Sequence, residues 1–242
     1  MADRTERTVA VVTGGSRGLG RALVAGLLDD GWTVVTDARR ADTLATTAAT
    51  LVAEHAGGDT DRLVALAGDQ RDPVHVDDLV TDAERLGGPH LVVLNAGDLG
   101  PSPLPHVADL GPDDLSALFD ANVVGPLRLV QRALPTLRRT HGTVVAVTSD
   151  AAAEAYEGWG GYGATKSALE HIARVLAEEE PDVTVLRVDP GDLRTDMHQA
   201  AFPGEDISDR PLPDVAVPWI LAIIHRRPTS GERFAAQQEV PA

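Results

Sequence analysis

Cysteine is absent from this 242-residue chain, which removes disulfides and thiolate chemistry and accords with a reducing cytoplasm. Aromatic residues make up only 3%, so the core has to be assembled from Ala, Val and Leu. That palette suits a buried parallel sheet flanked by helices. Positive charge is scarce: 21 basic residues face 37 acidic ones, for a formal net charge of −16. Such a surface repels phosphate backbones and anionic lipid, so neither nucleic acid nor membrane is an expected partner. No apolar run approaches the roughly 20 residues of a membrane span, and the amino terminus, Met1 to Thr8, is polar and charged. The eight histidines are scattered without an HExxH pair, which argues against a metal-dependent hydrolase, and no metal is expected. The expectation is a soluble cytoplasmic protein forming a single domain over 1–242. Scarcest of all is lysine. Every basic residue but one is arginine, and the exception is Lys166.

Short β-branched runs alternate with longer helical stretches, and no internal repeat, low-complexity block or linker interrupts them. The pattern predicts strands at 8–13, 33–37, 63–67, 91–95, 143–148 and 183–188, with a weaker one at 232–236. Helices are predicted at 17–30, 41–54, 74–85, 112–138, 163–180 and 213–226. This alternation points to an α/β fold, a doubly wound Rossmann-type parallel sheet of about seven strands with helices on both faces. Ligands on such sheets bind beyond the carboxyl ends of the strands, so the chemistry is expected just after them.

The first strand runs into Gly14-Gly15-Ser16-Arg17-Gly18-Leu19-Gly20 and then a helix. Glycines at 14, 18 and 20 permit a tight turn and let backbone N–H groups approach a pyrophosphate. After the second strand stand Asp37-Ala38-Arg39-Arg40. Arg17 and Arg39 could converge on a ribose 2′-phosphate, since guanidinium matches phosphate with paired donors. Asp37 pulls the other way: facing the ribose, it would repel that phosphate and favour NAD(H) over NADP(H). Asn95-Ala96-Gly97 closes the fourth strand with small residues that leave room for a cofactor. Asp69, after the third strand, can accept from an adenine amino group or simply stand in solvent.

Tyr162 and Lys166 are four residues apart and share one face of the fifth predicted helix. Bringing a phenol from its ordinary pKa near 10 to about 7 takes roughly 4 kcal/mol. An adjacent ammonium together with a cationic nicotinamide can supply it in a partly dry site. Ser149 follows the fifth strand, where its hydroxyl can reach a substrate carbonyl. Asn122 falls inside the long helix 112–138, where Asn is a mediocre helix former; it can bend that helix and hold a water near Lys166. Tyr156 and Trp159, just ahead of Tyr162, are candidates to line the substrate pocket. The run Glu178-Glu179-Glu180 reads as a solvated helix end.

Taken together these motifs resemble the short-chain dehydrogenase/reductase family, in its single-domain branch of about this length. The likeness runs over nearly all of 8–236, through Thr13 to Gly20, Asn95-Ala96-Gly97, Asn122, Ser149, Tyr162-Gly163-Ala164-Thr165-Lys166, and Pro190-Gly191 followed by Thr195. The resemblance implies an NADP(H)-dependent oxidoreductase acting on a small-molecule carbonyl/alcohol pair. Tyr162 would be the general acid/base, Lys166 would lower its pKa and hold the nicotinamide ribose, Ser149 would polarise the carbonyl and Asn122 would anchor a relay water. Gly14, Ser16, Arg17, Gly18, Leu19 and Gly20 would surround the pyrophosphate and 2′-phosphate, with Ala38 and Arg39 beside the ribose. Asp69, Gln70, Asn95, Ala96 and Gly97 would line the adenosine side, and Pro190, Gly191, Leu193 and Thr195 the carboxamide end. The family's acidic NAD position falls on Ala38 rather than Asp37, which favours NADP(H). Two departures stand out: Leu94 replaces the first of the usual paired Asn, and the tail after Ala236 lacks the customary glycine pair. The resemblance also implies a homodimer or homotetramer paired through helices 112–138 and 163–180. It places a short, polar substrate lid at about 197–213, with Phe202 and Ile207 its main apolar members. A non-catalytic dinucleotide-binding protein on the same fold remains the alternative.

Overall fold

The computed structural model describes residues 8–236; the polar segment before Thr8 and the tail after Ala236 lie outside the described residues. Seven parallel strands form one sheet in the order β3-β2-β1-β4-β5-β6-β7. They are β1 (Val9–Val12), β2 (Thr33–Ala38), β3 (Leu63–Ala67), β4 (Leu91–Leu94), β5 (Thr143–Val147), β6 (Thr184–Asp189) and β7 (Arg233–Ala235). Each predicted strand is found, with ends shifted by a residue or so. The β-branched runs that marked them are the central strands, buried on both faces.

Burial on both sides follows from the alternation of side chains along each strand. Ala10 and Val12 point to one face, where α1 (Gly18–Asp29) and α8 (Val217–Arg226) bring Leu23, Leu27, Ile220 and Ile223. Val9 and Val11 point to the other, against Val76 and Leu79 of α3 (Pro73–Arg85) and Leu129 and Leu137 of α5 (Gly125–Thr140). Leu169 and Ala173 of α6 (Gly160–Glu179) complete that layer. Helix α2 (Ala41–His55) covers the β2–β3 edge and adds Leu51 to the first layer. Each fully buried Leu, Ile or Val contributes about 1.5–3 kcal/mol, so a core that is aliphatic apart from Phe234 and the flanking Trp32 and Trp219 suffices.

The predicted helix 112–138 is divided. Helix α4 (Pro112–Phe119) passes through a π-helical turn, Asp120–Val124, into α5. The sequence explains the widening. Pro126 has no N–H to offer the Asn122 carbonyl, and the Gly125 N–H reaches back to Asp120 instead. The first turn of the last predicted helix is likewise a separate 3-10 turn, Pro213–Val215.

Strand order reverses between β1 and β4, so the loops after those strands diverge and open a crevice at their carboxyl ends.

Candidate active site

That crevice is a groove of about 1040 Å³, and every catalytic or cofactor candidate named from the sequence except Asn122 lines it. Its β1–β2 side is made by the glycine loop. Gly14 has φ of +77° and Gly18 of +55°, left-handed conformations that glycine adopts freely. A Cβ on Gly20 would stand 2.2 Å from the Gly14 carbonyl oxygen and 2.5 Å from Asn95 Nδ2, so the helix starts against the loop with no room for a side chain. No side chain caps α1, and its first turn holds no acid. Its leading N–H groups are therefore offered to whatever enters the groove, an arrangement suited to an anion. Gln70 adds a buried Oε1 without a partner, while its Nε2 donates to the Ala121 and Ala96 carbonyls. The glycine cradle, the uncapped helix end and this free acceptor fit a dinucleotide.

Asp37 does not face the groove as a free acid. Its Oδ1 accepts from the Gly14 N–H at 2.7 Å and its Oδ2 lies 3.1 Å from His75 Nε2, with the residue 2% exposed. The carboxylate that was expected to contest a 2′-phosphate is spent on bracing the glycine turn. Arg17 and Arg39 stand on the groove, each turned to an acid across it: Arg17 to Asp196 at 3.0 Å and Arg39 to Asp98 at 3.5 Å. The expected convergence of the two guanidinium groups is thus not present in this arrangement, since carboxylates are their nearest anions. Asp69 is held by Arg71, whose bidentate contact keeps its carboxyl below the usual range. Ser16 gives its carbonyl to Thr47, Leu19 is buried, and Ala38 ends β2. Asn95 ties β4 to β1 by donating from Nδ2 to the Thr13 carbonyl at 2.8 Å, and the N–H groups of Asn95 and Ala96 donate to the Thr13 hydroxyl.

On the β5–β6 side the structure brings the predicted chemical residues together. Tyr162 and Lys166 lie in the first two turns of α6, 8% and 3% exposed. Lys166 Nζ sits 5.5 Å from the Tyr162 ring centroid and donates to the Val147 carbonyl at 3.0 Å. A Cβ on Gly97 would be 3.4 Å from Asn122 Oδ1 and 3.7 Å from Lys166 Nζ, which shows how closely these three converge. Asn122 sits in the π turn, and its side chain is committed to the fold. Its Oδ1 accepts from the Asp98 N–H, and its Nδ2 donates to the Asp98 carbonyl and to Thr165 Oγ1. Gly191 adopts φ of +73° after β6, Leu193 is buried, and Thr195 caps α7 (Asp196–Ala201) by accepting from the His198 N–H.

Burial perturbs both members of the pair. The protein's own groups do not acidify the phenol. Burial pushes the Tyr162 hydroxyl well above its ordinary range, and the carboxylates of Asp189 and Asp150 push it further. Burial likewise lowers Lys166 to about 8.

Ser149 caps the turn Asp150–Ala152 after β5. Its Oγ donates to Asp150 Oδ1 at 2.9 Å and accepts from the Ala151 N–H at 3.2 Å. Its carbonyl accepts from Arg233 on β7 at 3.2 Å. Arg233 also meets Asp189 Oδ2 and Glu170 Oε1, and Glu170 accepts in turn from Thr148 Oγ1 and Arg187. This network beneath the serine was missed from sequence. Asp150 was discoverable as the residue beside Ser149, whereas nothing in the spacing links position 233 to 149. Tyr156, Trp159 and Phe202 close the outer end, with Trp159 packed edge-on to Tyr162 at 5.7 Å and tilted against Phe202 at 6.1 Å.

Comparison with known proteins returns the same layout. A family model described as short chain dehydrogenase matches residues 8–206. The chain is 36% identical over 191 residues to an uncharacterized oxidoreductase of Saccharomyces cerevisiae, covering 78% of this chain and 72% of that one. It is 34% identical over 203 residues to sepiapterin reductase of Bos taurus, covering 81% and 76% respectively. Among solved structures, the alcohol dehydrogenase of Thermococcus sibiricus complexed with 5-hydroxy-NADP superposes with a TM-score of 0.83 at 28% identity, covering 98% of this chain and all (100%) of that one.

Proposed function

The chain belongs to the short-chain dehydrogenase family and is an oxidoreductase of that family; on this premise we propose that it reduces a ketone or aldehyde carbonyl with NADP(H), or runs the reverse reaction. The observation that carries the reading is the meeting of Tyr162, Lys166 and Ser149 in the groove that also holds the uncapped helix end and glycine cradle. A nicotinamide held by these residues would supply the hydride for the carbonyl carbon.

The remaining work falls to the chain. Ser149 Oγ holds the carbonyl oxygen, and Tyr162 delivers a proton to that oxygen as negative charge builds on it. A phenol kept protonated by burial suits the acid role, which favours reduction. Lys166 holds the ribose side and restores the phenol's proton. The Asn122 carbonyl, deprived of a helical partner by Pro126, is the acceptor for a water on that path. Gly14, Ser16, Gly18, Leu19 and Gly20 would carry the pyrophosphate, and Asp69, Gln70, Asn95, Ala96 and Gly97 the adenosine side. Pro190, Gly191, Leu193 and Thr195 would meet the carboxamide.

Support for NADP(H) comes from Ala38 at the end of β2, Arg39 and Arg17 on the groove wall, and an Asp37 already committed to Gly14 and His75. An arginine paired only across open groove can exchange its carboxylate for a phosphate.

Tyr162→Phe is the test. Carbonyl-dependent NADPH consumption should fall by about 10²–10⁴-fold, while NADPH affinity changes by no more than a few-fold. Undiminished turnover would remove Tyr162 from the mechanism. NADPH binding without consumption by any carbonyl would favour a non-catalytic dinucleotide-binding protein.

A further inference from the structure

Nearly every acid on the groove wall has a partner of opposite sign or a histidine. At the cofactor end Asp37, Asp69 and Asp98 meet His75, Arg71 and Arg39. At the substrate end Glu157, Asp189, Asp192 and Asp196 meet His106, Arg233, Arg210 and Arg17. Asp150 is the exception: among the described residues no ion pair neutralises it, although it is half-buried on the groove wall. Its contacts are hydroxyl and amide donors instead. Ser149 Oγ donates to Oδ1 at 2.9 Å, the Ala151 N–H to Oδ1 at 2.8 Å, and the Tyr156 hydroxyl to Oδ2 at 2.9 Å.

This arrangement handicaps an uncharged ketone twice. A serine hydroxyl has one hydrogen, and here it points at Asp150 rather than into the groove. A carboxylate beside the reacting oxygen also repels the negative charge that develops there. A substrate cation at Asp150 relieves both, since it supplies the missing counter-charge and lets the Ser149 hydrogen turn to the carbonyl. The rings around this end of the groove suit the same guest. Tyr156, Trp159 and Phe202 gather at this end of a chain with only 3% aromatics, and aromatic faces attract cations. Because the serine oxygen and the carboxylate are 2.9 Å apart, the cationic nitrogen has to be close to the carbonyl along the substrate.

We propose that Asp150 is a specificity-determining residue that selects carbonyl compounds bearing an ammonium group on the carbon next to the carbonyl or one further away. The product of reduction is then an amino alcohol. This rests on the carbonyl-reductase reading above. Asp150 is also one of the groups that hold the Tyr162 phenol up, so an ammonium seated there eases proton release at the same step.

Three ketones of matched size, bearing an ammonium, a hydroxyl or a carboxylate, are compared by kcat/KM at saturating NADPH. The ammonium compound should lead the neutral one by about tenfold or more, the scale of a charge-assisted contact in a partly dry site, and the carboxylate should be poorest. In Asp150→Asn, which keeps an acceptor oxygen for Ala151 and turns an N–H toward the Tyr156 hydroxyl oxygen, the lead should collapse to near unity. Equal use of ammonium and neutral ketones by the native enzyme, or a lead that survives in Asp150→Asn, overturns the assignment while carbonyl reduction stands. Reduction of none of the three brings down the carbonyl reading and the Asp150 proposal with it. A second measurement does not depend on the variant folding. Inhibition of the native enzyme by the amino alcohol should be about tenfold tighter than by the alcohol lacking nitrogen, and equal inhibition overturns the proposal.

Discussion

At the β1–β2 end the backbone itself faces the groove, and side chains serve to hold the backbone still: Asp37 grips the Gly14 N–H, and Asn95 grips the Thr13 carbonyl. At the β5–β6 end the relation is inverted. The backbone holds side chains still, with the Val147 carbonyl taking the Lys166 ammonium, while Tyr162, Ser149 and Asp150 are presented. The first end tolerates no added atoms, and the second tolerates no lost ones. Binding a constant ligand calls for a fixed shape, whereas moving a proton calls for groups whose charge can change.

The contrast breaks most severely at Gly20. Gly20→Ala puts a methyl 2.2 Å from the Gly14 carbonyl oxygen, and the loop has to shift. Overpacking of this kind costs about 1–3 kcal/mol, and NADPH affinity measured by titration should weaken by about 10–100-fold. Affinity left intact would mean the cradle is not where the cofactor is read. Next in size is a pH effect confined to the other end. Lys166 titrates at about 8, so its charge is present below that pH and lost above it. Carbonyl reduction, followed as kcat/KM from pH 6 to 10, should fall about tenfold per unit on the alkaline side, while NADPH affinity falls far less, since a neutral amine still hydrogen-bonds a ribose hydroxyl. A flat profile would show that the ammonium's charge is not used. The smallest effect belongs to Arg39→Ala. An exposed guanidinium contributes modestly, so the NADPH-over-NADH preference should drop by about three- to tenfold; an unchanged ratio removes Arg39 from cofactor selection.

The strands were legible because β-branched runs bounded by Gly, Asp and Thr have few other uses, and their parallel order followed from the helices between them. The glycine loop and the Tyr162–Lys166 pair were legible for the same reason: their chemistry depends on spacing along the chain. What escaped depends on partners distant in sequence. Asp37 was read as a threat to the 2′-phosphate because its hold on Gly14 and His75 is made through space. Arg17 and Arg39 were read as a converging pair, while Asp196 and Asp98, which meet them, lie far along the chain. The division of helix 112–138 was visible in Pro126, had its missing N–H been traced back four residues to Asn122.

Arg233, close to the end of the described chain, clasps the Ser149 carbonyl and Asp189 from the outermost strand. A chain ending before β7 would therefore leave the Ser149 carbonyl and Asp189 without that guanidinium, although the glycine loop lies at the other end of the sequence.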